Sequence, residues 1–326
     1  MQSRLKPSIH PKKFIAMLAI ICALFGAAAI FISDFMIIPL AAVYAALLWF
    51  DQKNKLWAAL LPLLILALSV LGGIATVFSV ASGFCAALIV YFMYKANASK
   101  PDTALALTAF FAFYLLFSLF IAISAITKEY SIASAFEYYG SFMETQKAAF
   151  VDAFSQLTVT DQNGEISYLI TEENAELLFL SMARLSIAFI VIIAFILGGL
   201  TLKIFSKIVT RAEADETHIR SWRFMLPSIY AYFYGFIFIF SFLLGNGDGI
   251  AAMAVQNLTY IFMAMFGYIG LMHLISISSQ MRRKHLFLFF VFFSFVLLSI
   301  SALQILSFLG AYVSILYNRF TEQKKQ

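Results

Sequence analysis

The sequence predicts an all-α fold, a polytopic transmembrane helix bundle of about nine spans (about eight to ten) with an extracytoplasmic amphipathic helical insertion. Three observations predict it. The 326 residues are 63% hydrophobic and only 12% charged, whereas a soluble domain carries about 45–50% apolar and about 25% charged residues. The apolar residues gather into long runs, most of them bounded by Lys or Arg. Nine acidic residues fall between Lys128 and Glu176, a stretch with only two basic ones. A water-soluble fold of this length could not hide so many apolar side chains, so lipid must solvate part of the surface.

A spanning helix needs about 20 apolar residues to cross a hydrocarbon core of about 30 Å. Phe14 to Ser33 meets this, and Asp34 interrupts. Phe35 to Phe50, with Pro39 inside it, is a shorter second run closed by Asp51, Lys53 and Lys55. Leu56 to Gly72 and Ile74 to Tyr94 follow, with Gly72-Gly73 as the turn, and then Lys95 and Lys100. Thr103 to Thr127 is the fifth span. Beyond the acidic stretch, Leu177 to Leu202 is the sixth, followed by Lys203, Lys207, Arg211, Arg220 and Arg223. Phe224 to Leu244 and Ile250 to Ser278 are joined by Gly245-Asn246-Gly247-Asp248-Gly249, a strong turn signal. Arg282, Arg283 and Lys284 precede the last run, Leu286 to Leu316.

Basic residues in the first segment (Arg4, Lys6, Lys12, Lys13) ahead of Ala27, Ala28 and Ala29 share the layout of a secretory signal. The length of the apolar stretch and the spans that follow favour an uncleaved first span.

Cytoplasmic loops keep an excess of Lys and Arg. With the N-terminus inside, 16 of the 22 basic residues face the cytoplasm. Trp49, Trp57 and Trp222 then fall near cytoplasmic boundaries, where indoles favour the headgroup region. The exception is the end of the chain. A single last span leaves Arg319, Lys324 and Lys325 outside, whereas a broken run that returns leaves them inside.

Within the acidic stretch, Phe136, Tyr139, Met143, Phe150 and Phe154 recur at near-helical spacing, with Glu137, Glu144 and Asp152 mostly off that stripe. This predicts an amphipathic helix whose apolar face packs on protein. Asp161-Gln162-Asn163-Gly164 is a turn. Thr171 is a candidate N-cap, with Glu172 and Glu173 at the positive end of the next helix. The organisation is therefore 1–207, a six-span N-terminal bundle with the outer insertion 128–177; 208–223, a cytoplasmic connector; and 224–326, the C-terminal spans.

Ionisable and amide groups inside spans point to function, because burying them in lipid is costly. Arg184 lies just inside the sixth span, where it either snorkels to the interface or holds an anionic group. Exchange to Lys is silent in the first case. In the eighth span Met253, Asn257, Tyr260 and Ala264 share one face, which must point into the bundle. Interhelical hydrogen bonding and ligand contact both account for it. Tyr230, Tyr232 and Tyr234 of the seventh span could add hydroxyls. Arg184, Tyr234, Asn257 and Tyr260 are thus the candidate ligand-binding residues. Ala19, Ala23 and Ala27 repeat every four residues on the first span, a spacing that admits a close helix from the bundle or from a partner subunit.

Other chemistry has no foothold. The net charge of +5 flanks apolar runs and forms no patch, so nucleic acid is not expected as a partner. Cys22 and Cys85 sit inside apolar runs as small hydrophobes. His10, His218, His273 and His285 have no metal-ligand spacing. Residues 213–218, with His218, read as a mixed-charge loop. With no P-loop, GxGxxG, GxSxG or HExxH, no cofactor or metal and no enzymatic activity are expected.

Ser221-Trp222-Arg223-Phe224-Met225-Leu226-Pro227 and Leu309-Gly310 through Tyr317-Asn318-Arg319 resemble the YybS-like family, bacterial multi-pass membrane proteins grouped under a domain of unknown function. The resemblance implies a bacterial cytoplasmic (inner) membrane location. That family has an acidic residue soon after the Leu-Gly; Ala311, Tyr312, Val313 and Ser314 stand here instead. More distantly, Phe14 to Leu202 is similar in layout to the substrate-binding subunits of energy-coupling-factor importers, whose small-residue first helix docks a coupling subunit. The functional expectation is a solute-binding or transport-type membrane subunit without its own ATPase, working with a small-molecule solute and a coupling subunit. The alternative is an envelope assembly or scaffold protein.

Overall fold

The computed structural model describes residues 6, 9–51, 56–155, 158–160, 166–168, 170–213, 224–244, 249–278 and 300–323. Almost all of them are helical: α1 (Pro11–Phe31), α2 (Ile37–Phe50), α3 (Leu56–Ser69), α4 (Ile74–Lys95), α5 (Lys100–Thr127), α6 (Ile132–Ser155), α7 (Glu172–Arg184), α8 (Ser186–Ala212), α9 (Ser228–Leu244), α10 (Ile250–Ser278) and α11 (Ile300–Gln323). A short antiparallel ribbon, β1 (Thr158–Thr160) with β2 (Ile166–Tyr168), pairs Thr158 with Tyr168. The turn at 161–164 lies outside the described residues, as do Trp222, His218, the 245–248 turn and Arg282–Lys284.

Local chemistry sets several helix starts. Ser99 Oγ accepts the Asp102 N–H at 3.2 Å, and Pro101 sits in the first turn of α5, where its missing N–H is no loss. Thr171 Oγ1 accepts the Asn174 N–H at 3.3 Å at the head of α7, with Glu172 and Glu173 in the first turn.

Among the described residues, six helices, α1, α4, α5, α8, α10 and the Ser301–Phe320 part of α11, are long and apolar enough to cross a bilayer. Asp34–Phe50, Ala58–Gly72 and Ser228–Leu244 are apolar but shorter. Their outward faces suit lipid: Leu24, Leu63, Phe113 and Phe242 are each more than 60% exposed. The architecture is that of an integral, multi-pass membrane protein.

The centre of the first core is α2. Nearly every residue from Ile37 to Phe50 is buried, against α1, α4 and α8. A helix covered on all sides carries no amphipathic period, which is why this run looks uniformly apolar. A second, smaller core is built from Phe195 of α8, Tyr234 of α9, Phe266 and Ile269 of α10 and Ala311 of α11. There α10 and α11 make the most extensive helix contact. A Cβ added at Gly270 would strike the Leu306 carbonyl, and one at Gly310 the Phe266 carbonyl. These glycines let the two backbones touch.

Glu213 gathers one end of the bundle. Its carboxylate accepts the Trp49 indole N–H at 3.3 Å and the Tyr94 hydroxyl at 3.1 Å. Lys6 N–H donates to the neighbouring Ala212 carbonyl at 2.9 Å. Glu213 lies just past the end of α8 and is 6% exposed, enclosed by two aromatic donors. One sequence expectation is corrected here. Trp49, also 6% exposed, faces Glu213 and the Tyr94 ring, not the headgroups, because a buried indole N–H needs an acceptor.

Helix directions follow from residue pairs. Ser307 meets Tyr234 and Asn318 Nδ2 donates to Leu226 O, so α11 runs antiparallel to α9. Tyr230 and Tyr234 meet Phe262 and Phe266, whereas Phe238 and Phe242, later on α9, share a cavity with Gln256 and Tyr260, earlier on α10, so α9 and α10 are antiparallel. Hence α10 and α11 are parallel and finish at the same end. Asn257 lies beside Ala188, and Tyr268 beside Phe195, so α8 is parallel to both and ends there too. Arg319 therefore lies toward the same end as Ala212 and Ser278, and the start of the last apolar run, 286–299, lies outside the described residues.

Further boundaries shift. The sixth apolar run is two helices, α7 and α8, so Arg184 ends one helix instead of lying inside a span. Helix α8 continues through Ala212, into the first residues of the stretch drawn as the connector 208–223. On α6, Met143 and Phe150 approach α7 and α8, but Phe136 is 72% exposed, so only the later half of the expected stripe packs on protein.

Reporters fused before Met1 and after Gln326 are expected to read the same compartment, because the Lys6 segment and the end of α11 share the Glu213 end. Opposite readings would refute the helix directions.

Candidate functional site

The site begins at the break between α7 and α8. Leu185 leaves the helical path (φ −90°, ψ 5°). In a continuous helix the Ala188 N–H would bond the Arg184 carbonyl. Here the Asn257 side chain takes the place of that bond. Its Oδ1 accepts the Ala188 N–H at 2.8 Å, and its Nδ2 donates to the Arg184 carbonyl at 2.8 Å. The second Nδ2 hydrogen goes to Met253 O, one turn back on α10, also at 2.8 Å. Both amide donors and the carbonyl are therefore used, and the amide's orientation is dictated by a donor on one side and an acceptor on the other. Asn257 is 6% exposed, and in an apolar bundle an orphaned backbone group there would be costly.

Above this splice lies a cavity of about 660 Å³, within the range of about 300–1,000 Å³ usual for small-molecule sites. From α7 come Leu177, Ser181 and Arg184, with Leu185 at the break. Phe238, Ser241 and Phe242 line it from α9, Gln256, Thr259, Tyr260 and Met263 from α10, and Gln304 from α11. Ser181, Ser241 and Thr259 donate their hydroxyl protons to their own helices, to Leu177 O, Phe238 O and Val255 O. Their hydroxyl protons are thus spent within their own helices. Polar and apolar side chains both line the space.

The four candidates from the sequence divide. Arg184 and Tyr260 line the cavity. Asn257 is built into the wall beneath Arg184 and is not among the lining residues. Tyr234 is fully buried behind it, its ring stacked on Phe266 at 5.5 Å and its hydroxyl 2.6 Å from Ser307 Oγ. Ser307 gives its own proton to Gln304 O at 2.7 Å, so Tyr234 is the donor of that pair. Sequence reasoning missed Gln304, an isolated amide on α11, and Ser181, Ser241 and Thr259, which are unremarkable in helices. The only sequence signal for Gln304 was an amide within an apolar run.

The alanine stripe on α1 also divides. Ala19 is buried, Ala23 half-buried and Ala27 exposed. The inward face is instead Leu18, Ala19, Cys22, Gly26 and Ala29, with Gly26 against Ile65 of α3.

Beside the cavity, α6 is tied to α7. Lys147 Nζ donates to Glu176 Oε1 at 2.9 Å and lies 3.6 Å from Glu144 Oε2. The hydrogen bond to Glu176, then the charge of Glu144, raise the Lys147 pKa above its ordinary value. Beneath, α6, α7 and α8 border an open apolar pocket of about 320 Å³ lined by Met143, Phe150, Phe179 and Phe189 among others.

Comparison with protein-family models, curated proteins and solved structures finds no match to this chain.

Asn257→Ala orphans the Ala188 N–H and the Arg184 carbonyl, and is expected to destabilise the protein by about 1–3 kcal/mol, read as a lower thermal midpoint in detergent. An unchanged midpoint would show that the break stands without the splice. The Lys147 tie has a raised folded pKa, so its contribution is complete below the free lysine value of about 10.4 and is lost as pH rises through the folded value. Protease resistance of α6 should therefore be flat between about pH 7 and pH 9 and fall in stronger alkali. The extra fall should vanish in Lys147→Met.

Proposed function

We propose that this protein is a solute-binding, transport-type membrane subunit without its own ATPase, and that the cavity at the α7–α8 break is its solute site. The observation that carries the reading is the cavity itself. A space of about 660 Å³ opens among helices with lipid-suited faces, and a guanidinium, two carboxamides and several apolar side chains line it, the mixture usual for a small-molecule site.

In the same proposal the chain sits in a bacterial cytoplasmic membrane with its N-terminus inside. The six long apolar helices and the three shorter ones all cross, and α6 and α7 form an outer insertion beside the cavity mouth. The parallel run of α10 and α11 supports this orientation. It brings Arg319 to the side of Lys203, Lys207 and Arg211, in keeping with the charge rule. A coupling subunit or an ion gradient would then supply the energy.

The scaffold reading keeps one specific support: Asn257 and Tyr234, both buried, serve helix–helix contacts. Mild crosslinking and pull-down separates the two, a coupling ATPase favouring transport and envelope-building enzymes a scaffold.

Thr259→Trp would fill the cavity without touching the Asn257 splice. Small molecules retained by the wild-type protein in mild detergent, identified by mass spectrometry, should be absent from this variant. Equal retention by a well-folded variant would place the solute site elsewhere.

A further inference from the structure

We infer that the open pocket between α6, α7 and the start of α8 seats one bilayer lipid, with an acyl chain in the pocket and a zwitterionic, amine-bearing head at the Lys147 tie. This goes beyond the solute site and rests only on the multi-pass architecture. Met143 and Phe150 of α6, Phe179 and Met182 of α7, and Phe189 and Ile190 of α8 line the space. Ser186 is the only polar side chain among the described lining residues, so the space suits hydrocarbon better than water. What covers it follows from where it opens. Phe189 lines the pocket and is itself exposed, and it heads a stripe of exposed residues, Ile193, Ile196 and Leu200, at helical spacing along α8. That helix is long and apolar enough to cross a bilayer. Its exposed stripe therefore lies against lipid chains, and the pocket continues that surface at the start of the helix. The head is selected by charge. Met143, Lys147 and Phe150 share one face of α6, and Glu176, Phe179 and Ala183 share one face of α7. The Lys147–Glu176 bond thus borders the pocket. Lys147 also lies 3.6 Å from Glu144, so this border carries more acid than base. An ammonium is attracted there, and an anionic head is not.

The test is native mass spectrometry of the full-length protein, stripped of lipid in detergent and titrated with phosphatidylethanolamine or phosphatidylglycerol of the same chains. The wild type should hold one phosphatidylethanolamine, at least about fivefold more tightly than phosphatidylglycerol. Met143→Asn makes the pocket polar and Ser186→Phe fills it, from two different helices. Each should weaken that lipid by about tenfold or more. The lipid-free thermal midpoint shows whether each variant folds. If Ser186→Phe does not, Met143→Asn, at a half-buried position of α6, carries the test. The double variant Glu144→Gln with Glu176→Gln leaves Lys147 as the border charge. It should reverse the head preference, which a mere loosening of α6 does not do. Thr259→Trp fills the larger cavity and should leave the lipid in place, so this inference and the solute site fail separately. A wild type that keeps no lipid, alone or paired with a second copy through this face, overturns the inference. So does equal retention by a folded pocket variant, phosphatidylglycerol held as tightly as phosphatidylethanolamine, a head preference unchanged in the double variant, or loss of the lipid in Thr259→Trp.

Discussion

The two backbone groups left open at Leu185 are closed from outside the helix, by the carboxamide of Asn257. Much else depends on this arrangement. It lets the chain change from the more polar helix α7 to the apolar helix α8 without leaving a bare N–H and C=O in a water-poor setting. It fixes α10 against the break, with Gln256, Thr259 and Tyr260 presented beside it. It also holds the main chain of Arg184, so the guanidinium is delivered to the cavity by a backbone that cannot drift. Helix breaks of this kind occur where a side chain inserts into the hydrogen-bond ladder, and here the inserted group belongs to the helix that lines the site.

The opposite end is organised by a second polar group. Glu213 collects donors from α2 and α4 at the end of α8, where Trp49 and Tyr94 stack edge to face at 4.6 Å. A buried carboxylate needs donors, and an indole and a phenol supply them while keeping an apolar surround. The two cores are thus each closed by one side chain: the α2-centred core by Glu213, and the α9–α11 core by Asn257. They share α8, which reaches both, and this long helix sets the distance between the two ends.

Much of the bundle was legible because apolar length is a one-dimensional property. The eighth run was read as Ile250 to Ser278, the bounds of α10, and most other runs fell within a few residues of a helix. Asn257 stood out as an amide in an apolar run, and the need for a partner followed from burial alone. That its partners would be main-chain atoms of Arg184 and Ala188 did not, since this depends on how two helices pass. The sixth run hid its break for the same reason. Leu185 is an ordinary helix former, and nothing in Ala183-Arg184-Leu185-Ser186 signals an interruption. The burial of Glu213 was not legible because its neighbours in sequence are charged, whereas its neighbours in space are aromatic. The facing of Ala27 was not legible because a four-residue step names a stripe without saying which way it turns.

The sequence by itself determined the solvent: a chain 63% hydrophobic, with its charges confined to the ends of apolar runs, can only present itself to lipid. It also determined which polar groups had to be accounted for, since each amide or charge within such a run needs a partner. Tertiary structure decided what those groups do. The close packing of α10 on α11 rests on Gly270 meeting Gly310, and α11 is tied to α9 where Ser307 meets Tyr234. The gathering of Arg184, Gln256 and Gln304 around one void joins residues from three helices far apart in the chain. Hydrophobicity adds up locally along a sequence, whereas contact between helices depends on their facing and direction, which no single run encodes.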